Sequence, residues 1–243
     1  MKLNFLFAAW PYIALALLVI GIGVRYLLDR RQMDAVTAEM SEAWALVGGN
    51  QWWRASVLLL FLAHLADLIF PRGILLWNGN PVRLYLLEGL AFSIGIVALV
   101  SGASLLWRHL GHHSSRSAVA ELSDTVFLTL LFVGILSGLL VATIYRWGSS
   151  WGAITLSPYI ASLAIGKPTA GLAVQMPFLV RLHVFSAFAV LAVLPLTRAA
   201  SFMVFTLHRS FILVGRPISA VARKGEAWLR KHNPAPWLWP EED

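Results

Sequence analysis

Polar residues along this chain are gathered into short clusters, and long apolar runs separate them. Five runs reach or approach the roughly 20 residues that a helix needs to cross a bilayer at about 1.5 Å per residue. They cover approximately Phe5–Leu27, Ala55–Phe70, Val82–Trp107, Val119–Tyr145 and Met176–Leu207. The second is the shortest and is expected to extend into its flanks. None alternates apolar and polar residues as a membrane barrel strand does. A helix satisfies its own backbone hydrogen bonds in lipid. The pattern therefore predicts an all-α, integral membrane bundle of five transmembrane helices. The first run carries Lys2 at its start and lacks a clear small-residue cleavage site, so it reads as a retained helix rather than a signal peptide.

The polar clusters give the connections. The first loop, about Leu28 to Arg54, mixes both charge signs, and its middle (Met33–Leu46) is expected to form an interfacial helix. The second reads as a short turn, because Pro71, Gly73, Gly79 and Pro81 punctuate it. The third holds His109, His112 and His113. The fourth, Arg146 to Gln175, is long and mildly apolar and is expected to cap the bundle. The basic stretch after the fifth run ends in a segment rich in Pro and Trp, Asn233–Asp243, which reads as a docking strap or as disordered chain. The natural division is residues 1–208, the five-helix domain, and residues 209–243, a basic tail. Neither an internal repeat nor an inverted pair of broken helices is evident.

Composition reinforces this picture. Apolar residues make up 58% of the chain and charged residues only 13%, more apolar surface than a soluble domain of this length buries in one core. Cysteine is absent. That excludes disulfides, thiolate-ligated zinc, iron–sulfur clusters held by this chain and c-type haem attachment. The net charge is +7, and its placement matters more than its size. With the N-terminus outside, most of the basic residues fall inside: Arg25, Arg30, Arg31, Arg54, Arg108, Arg116, Arg198, Arg209 and the tail cations. The positive-inside rule then orients the chain N-out and C-in. Topology accounts for the charge, so nucleic acid is not an expected partner, whereas the lipid bilayer is.

Two of the seven histidines stand apart. His109, His112 and His113 lie at a helix end, His208 lies near the inner end of the fifth run, and His232 lies in the tail. His64 and His183 each sit within an apolar helix, where an ionisable residue is costly and usually functional. His64 lies seven residues before Pro71, and His183 six after Pro177. At 1.5 Å per residue both are roughly 10 Å below one surface, on helices of opposite direction. Two imidazoles at one level on different helices can occupy both axial positions of a haem iron. Hydrogen bonds to neighbouring helices, a zinc site short of ligands, and a proton relay with Asp67 and Glu88 remain open alternatives.

The runs Pro11-Tyr-Ile-Ala, Gly21-Ile-Gly-Val-Arg-Tyr26, Ala55-Ser56 followed by His64 and Pro71, and Arg181-Leu-His183 with Pro195 and Arg198 together resemble the cytochrome b (gamma) subunit of respiratory nitrate reductase. The resemblance covers all five predicted helices. It implies an N-out bundle carrying b-type haem in the cytoplasmic (inner) membrane of a prokaryote. In that family two haems are each held by one histidine from helix two and one from helix five. His64 and His183 match the outer pair. The inner pair would fall ten residues before His64 and eighteen after His183, and those positions are Arg54 and Ser201. Neither is a usual haem ligand. Met203 and His208 lie nearby on the fifth run, but the second run offers no replacement for Arg54. The motif supports one haem b and argues against a second.

The family oxidises quinol beside the outer haem, where a basic residue at the start of helix three contributes; Arg83 occupies that position. Its plainer reading is an arginine snorkelling at a helix end. A single haem near the outer surface would lie roughly 20 Å from the inner face of a core about 30 Å thick. The expected role is therefore an electron-transfer subunit of an oxidoreductase complex, linking quinone or quinol to a partner redox subunit, whether iron–sulfur, molybdenum or cytochrome, on the extracytoplasmic side. The chain has no phosphate loop, nucleophile elbow or other enzyme motif of its own. The alternatives are a cytochrome b with a cytoplasmic partner, as in hydrogenase or heterodisulfide-reductase-like complexes, and a membrane anchor without haem.

Overall fold

A computed structural model describes residues 2–47, 50–111 and 118–231. His112, His113, Arg116, His232 and the Asn233–Asp243 segment lie outside the described residues. Every element among the described residues is helical. Five helices are long and apolar enough to span a membrane, in stretches Asn4–Asp29, Gln51–Ile69, Pro81–Gly111, Ala120–Ile144 and Phe178–Leu196.

Helix α1 (Lys2–Asp29) runs through Pro11, which is tolerated in a spanning helix because neighbouring helices take up the freed carbonyl. Helix α2 (Met33–Val47) forms where the first loop was expected to be helical. Helix α3 (Gln51–Ile69) begins earlier than its apolar run. Asn50 caps it by accepting a hydrogen bond from the Trp53 amide at 2.9 Å. The second loop is no simple turn. Pro71 at a first helical position, where its missing N–H is harmless, starts α4 (Pro71–Asn78). The long spans α5 (Pro81–Gly111) and α6 (Ala118–Ile144) follow.

The fourth loop folds into α7 (Gly148–Trp151), a π-helical turn (Gly152–Leu156), α8 (Ser157–Ala164) and α9 (Ala170–Val174). Tyr159 anchors this cap. Fully buried, it donates from its hydroxyl to the Phe7 carbonyl at 2.7 Å and packs with Phe7, Leu163 and Val184. Burial, with a smaller contribution from Tyr12, pushes its phenol up to about 12.

The fifth run is not one helix. Helix α10 (Phe178–Val193) gives way to a 3₁₀ turn at Leu194–Leu196, Thr197 is extended, and α11 (Ala200–Lys231) starts afresh. The expected continuous helix to Leu207 is thus corrected. Pro195, lacking an amide hydrogen, favours a break there. Side chains from two other helices then satisfy the freed backbone. Arg25 of α1 donates to the Thr197 carbonyl at 2.5 Å and to the Pro195 carbonyl at 3.3 Å, while its other donors reach Asp29 and Glu39. Asp124 of α6 accepts the Arg198 amide at 3.0 Å and the Arg198 Nε at 2.5 Å. Gly21 of α1 lies so close to this turn that a Cβ there would meet the Pro195 Cβ at 2.6 Å. Helix α11 continues unbroken across residue 208.

The spanning helices adjoin in the order α3, α5, α6, α10, α1. Helix α3 leans on α5 and is the least covered of the five, with 11% of its apolar stretch buried inside the bundle.

The Asp124–Arg198 pair is enclosed, the aspartate side chain being 1% exposed. Removing one partner leaves a buried charge alone, which costs about 3–5 kcal/mol. Asp124→Ala is expected to lower the thermal unfolding midpoint of the detergent-solubilised protein markedly, whereas Asp34→Ala, on the exposed face of α2, is expected to leave it unchanged.

Candidate functional site

Helix α3 carries His64 and α10 carries His183, and the structure brings their rings together with centroids 5.9 Å apart and planes at 34°. The helices run in opposite directions, so the level match expected from helix rise is realised in space. Metal–imidazole bonds of about 2.0 Å, plus ~1.1 Å from nitrogen to ring centre, put two rings on opposite sides of one ion about 6 Å apart. Ordinary aromatic pairs fall in the same range of roughly 4.5–7 Å, so hydrogen bonding has to discriminate.

His64 donates from Nδ1 to the Leu60 carbonyl at 2.7 Å, and His183 donates from Nδ1 to the Gly134 carbonyl at 2.8 Å. A carbonyl can only accept, so each Nδ1 carries the proton. In a neutral ring that leaves Nε2 as the bare nitrogen, the form an axial ligand requires. A backbone acceptor behind the other nitrogen is what usually fixes the orientation of a metal-binding histidine. Ser137 also lies against the His183 Nδ1, at 3.4 Å.

Helix α6 shapes the pocket for His183 by leaving out side chains. A Cβ on Gly138 would meet the His183 Cε1 at 2.8 Å and its Nδ1 at 3.1 Å. One turn earlier, Gly134 supplies the accepting carbonyl. In the sequence both are simply small residues of the fourth apolar run, and only the packing shows that one of them seats the ring.

The level of Arg54 and Ser201 looks different. The Arg54 guanidinium lies 5.0 Å over the Trp44 ring. Ser201 is fully buried, in the first turn of α11, and donates to the Arg198 carbonyl at 2.7 Å. Beside them Trp53 packs with Leu105, Phe127, Leu128 and Ala199, and its ring lies 2.7 Å from where a Gly102 Cβ would stand. Neither Arg54 nor Ser201 is a usual haem ligand, and side chains pack closely at this level, so the residues present do not fit a second haem. Met203 is half exposed, and His208 lies 6.2 Å from the Tyr26 ring. The sequence reading had missed Trp53, and also Asp124, although an acid inside an apolar run is itself a signal.

The other residues singled out by sequence are distributed as follows. The Arg83 guanidinium lies 5.4 Å over Trp77, whose indole N–H donates to the Arg83 carbonyl at 3.2 Å. Glu88 accepts the Ser149 amide at 2.9 Å and the Ser149 hydroxyl at 2.6 Å. Asp67, one turn beyond His64, interacts electrostatically with both His64 and Glu88. His109 donates to the Thr125 hydroxyl at 2.9 Å, since that hydroxyl gives its own proton to the Glu121 carbonyl. No group of three potential metal ligands occurs among the described residues.

A family model described as the nitrate reductase gamma subunit matches residues 3–218, nearly the whole chain. The chain belongs to the nitrate reductase gamma subunit family. It is similar to the nitrate reductase gamma chain of Bacillus subtilis (strain 168), with 26% identity over 212 residues that cover 85% of this chain and 93% of that relative. It is also similar to the respiratory nitrate reductase 2 gamma chain of Escherichia coli (strain K12), with 24% identity over 139 residues, 56% of this chain and 60% of that one. As a member of this family with five apolar spanning helices, the protein is a multi-pass membrane subunit of a redox complex.

In this gamma-family chain the Gly138 position has no room for a side chain. Gly138→Val is expected to displace the His183 ring and to remove most of any b-type absorbance per mole of protein. A reduced-minus-oxidised spectrum, with gel filtration to establish that the variant is folded, measures this.

Proposed function

We propose that this protein is a one-haem b-type cytochrome subunit of a membrane-bound respiratory oxidoreductase complex, with His64 and His183 as the axial ligands. The observation that carries the reading is the imidazole pair, 5.9 Å apart and with both Nδ1 atoms committed to backbone carbonyls. Haem bound there supplies a one-electron carrier. The chain holds both rings in a fixed tautomer and orientation, with His183 half-buried against α6 and His64 exposed on α3. Arg54, Ser201 and the packed Trp53 support a single haem.

The histidine pair lies toward the end of the bundle formed by α4 and α7–α9. The positive-inside rule assigns that end to the extracytoplasmic side, with residues 209–243 as a cytoplasmic tail and the prokaryotic inner membrane as the location. Electrons are then exchanged between quinone or quinol and a redox subunit on the extracytoplasmic side, which is closer to the histidines than a cytoplasmic partner would be. Arg83 is the proposed donor to a quinone oxygen, with its guanidinium steadied by Trp77. One observation favours a second reading with a cytoplasmic partner: α11 runs on to Lys231 and offers a helical surface at the other end.

Haem content decides the main reading. A pyridine haemochromogen assay on the purified chain is expected to give one haem b per polypeptide, and two per chain would overturn it. His64→Ala and His183→Ala are each expected to abolish the b-type band; a band persisting in both variants would remove the ligand assignment. A band absent from the wild type as well would leave a membrane anchor.

Arg83→Ala is expected to keep the haem and to raise KM for quinol about tenfold, because a hydrogen bond from a charged donor contributes about 1.5–3 kcal/mol. An unchanged KM in steady-state quinol oxidation by the assembled complex takes Arg83 out of the site.

A further inference from the structure

Asp67 is an acid within a spanning helix, three residues beyond His64 and on the same face of α3. Its Oδ1 is shut off from solvent and has no hydrogen-bond partner. Its Oδ2 lies against the π-helical turn, 3.0 Å from where a Gly152 Cβ would be. Ser157 of α8 donates to the Asp67 main-chain carbonyl at 3.0 Å and also interacts with the carboxylate. The titratable groups that act on Asp67 are His64 from its own helix and Glu88 from α5. Among the described residues it has no ion pair.

Beyond Glu88 the polar groups continue toward the loop end. Ser149 donates twice to Glu88, and Asn78 donates to the Ser149 and Ser150 hydroxyls at 2.9 Å each. The Asn78 Oδ1, like the Asp67 Oδ1, is buried without a donor. The Asp67 and Asn78 oxygens are thus two buried acceptors without a donor among the described residues.

Resting on the haem reading above, we infer that Asp67 takes up a proton when an electron arrives at the His64–His183 centre, and that Glu88 relays this proton to and from the loop end. With haem held by His64 and His183, that centre would accept one electron from quinol or the partner subunit. One proton from water adds to the Asp67 Oδ1 and converts carboxylate to carboxylic acid. Both leave on reoxidation. The coupling is electrostatic: added negative charge one helical turn away favours the neutral acid, and no cation is paired with Asp67 to oppose it.

The test is a spectroscopic redox titration of the full-length, haem-loaded chain in detergent at a series of pH values. In the wild type the reduction equilibrium is expected to shift up to tenfold per pH unit, about 59 mV for one electron. The isosteric variant Asp67→Asn is expected to bind haem normally and to lose the slope. Glu88→Gln is expected to keep the slope but to slow the spectral relaxation after a pH jump by tenfold or more. A wild-type slope retained in Asp67→Asn, or a flat wild type, overturns the role of Asp67. An unslowed Glu88→Gln overturns the relay. A wild type without a b-type band overturns the haem reading itself, and an unchanged slope cannot be mistaken for that outcome.

Discussion

A polar group carried into a helical bundle must find a partner, and the architecture of this protein follows from how it meets that constraint. In an apolar interior an unmatched donor or acceptor costs several kcal/mol. The break at Pro195 frees backbone carbonyls and the Arg198 amide, and the bundle answers with Arg25 from α1 for the carbonyls and Asp124 from α6 for the amide. These contacts tie α1, α2, α6, α10 and α11 to one point. The carbonyls of Leu60 and Gly134 do the same for the two imidazoles and leave each with one free nitrogen.

The two levels of the bundle are packed differently. At the histidine level small residues on α6 make room for a ring, and α3 stands off from most of its neighbours. At the other level the small residue is Gly102, and Trp53 occupies the room it leaves. A glycine on a spanning helix is thus ambiguous until its opposite number is known: facing His183 it seats a proposed ligand, and facing Trp53 it closes a core. A cytochrome with one level filled this way would exchange its electron at one end of the bundle and not through its whole depth.

Much of the site was legible in the chain. Intramembrane histidines are rare enough to stand out, and helix rise alone put His64 and His183 at a common depth. Arg54 and Ser201 announced a departure from the family pattern by residue type. Other parts were not legible. Asp124 went unnoticed because its partner Arg198 is remote in sequence, and the break at Pro195 was hidden inside an apolar run that read as continuous. The second loop was read as a turn because its Pro and Gly residues punctuate sequence, yet Pro71 at a first helical position starts a helix as readily as it ends one.

Taken alone, then, the sequence determined the number of spanning helices, their all-α character and the two residues with the strongest claim to a ligand role. These follow from local quantities: the length of an apolar run, the depth of a side chain along it and the chemistry of that side chain. Only the tertiary structure decided which helices adjoin, that the two imidazoles face each other at 5.9 Å, and that Trp53 fills the second level. It also placed the Asp67 Oδ1 in a pocket without a donor. The physical reason is that these are contacts between residues far apart in the chain. They are fixed by packing and by the matching of buried polar groups, and neither can be read from one helix at a time.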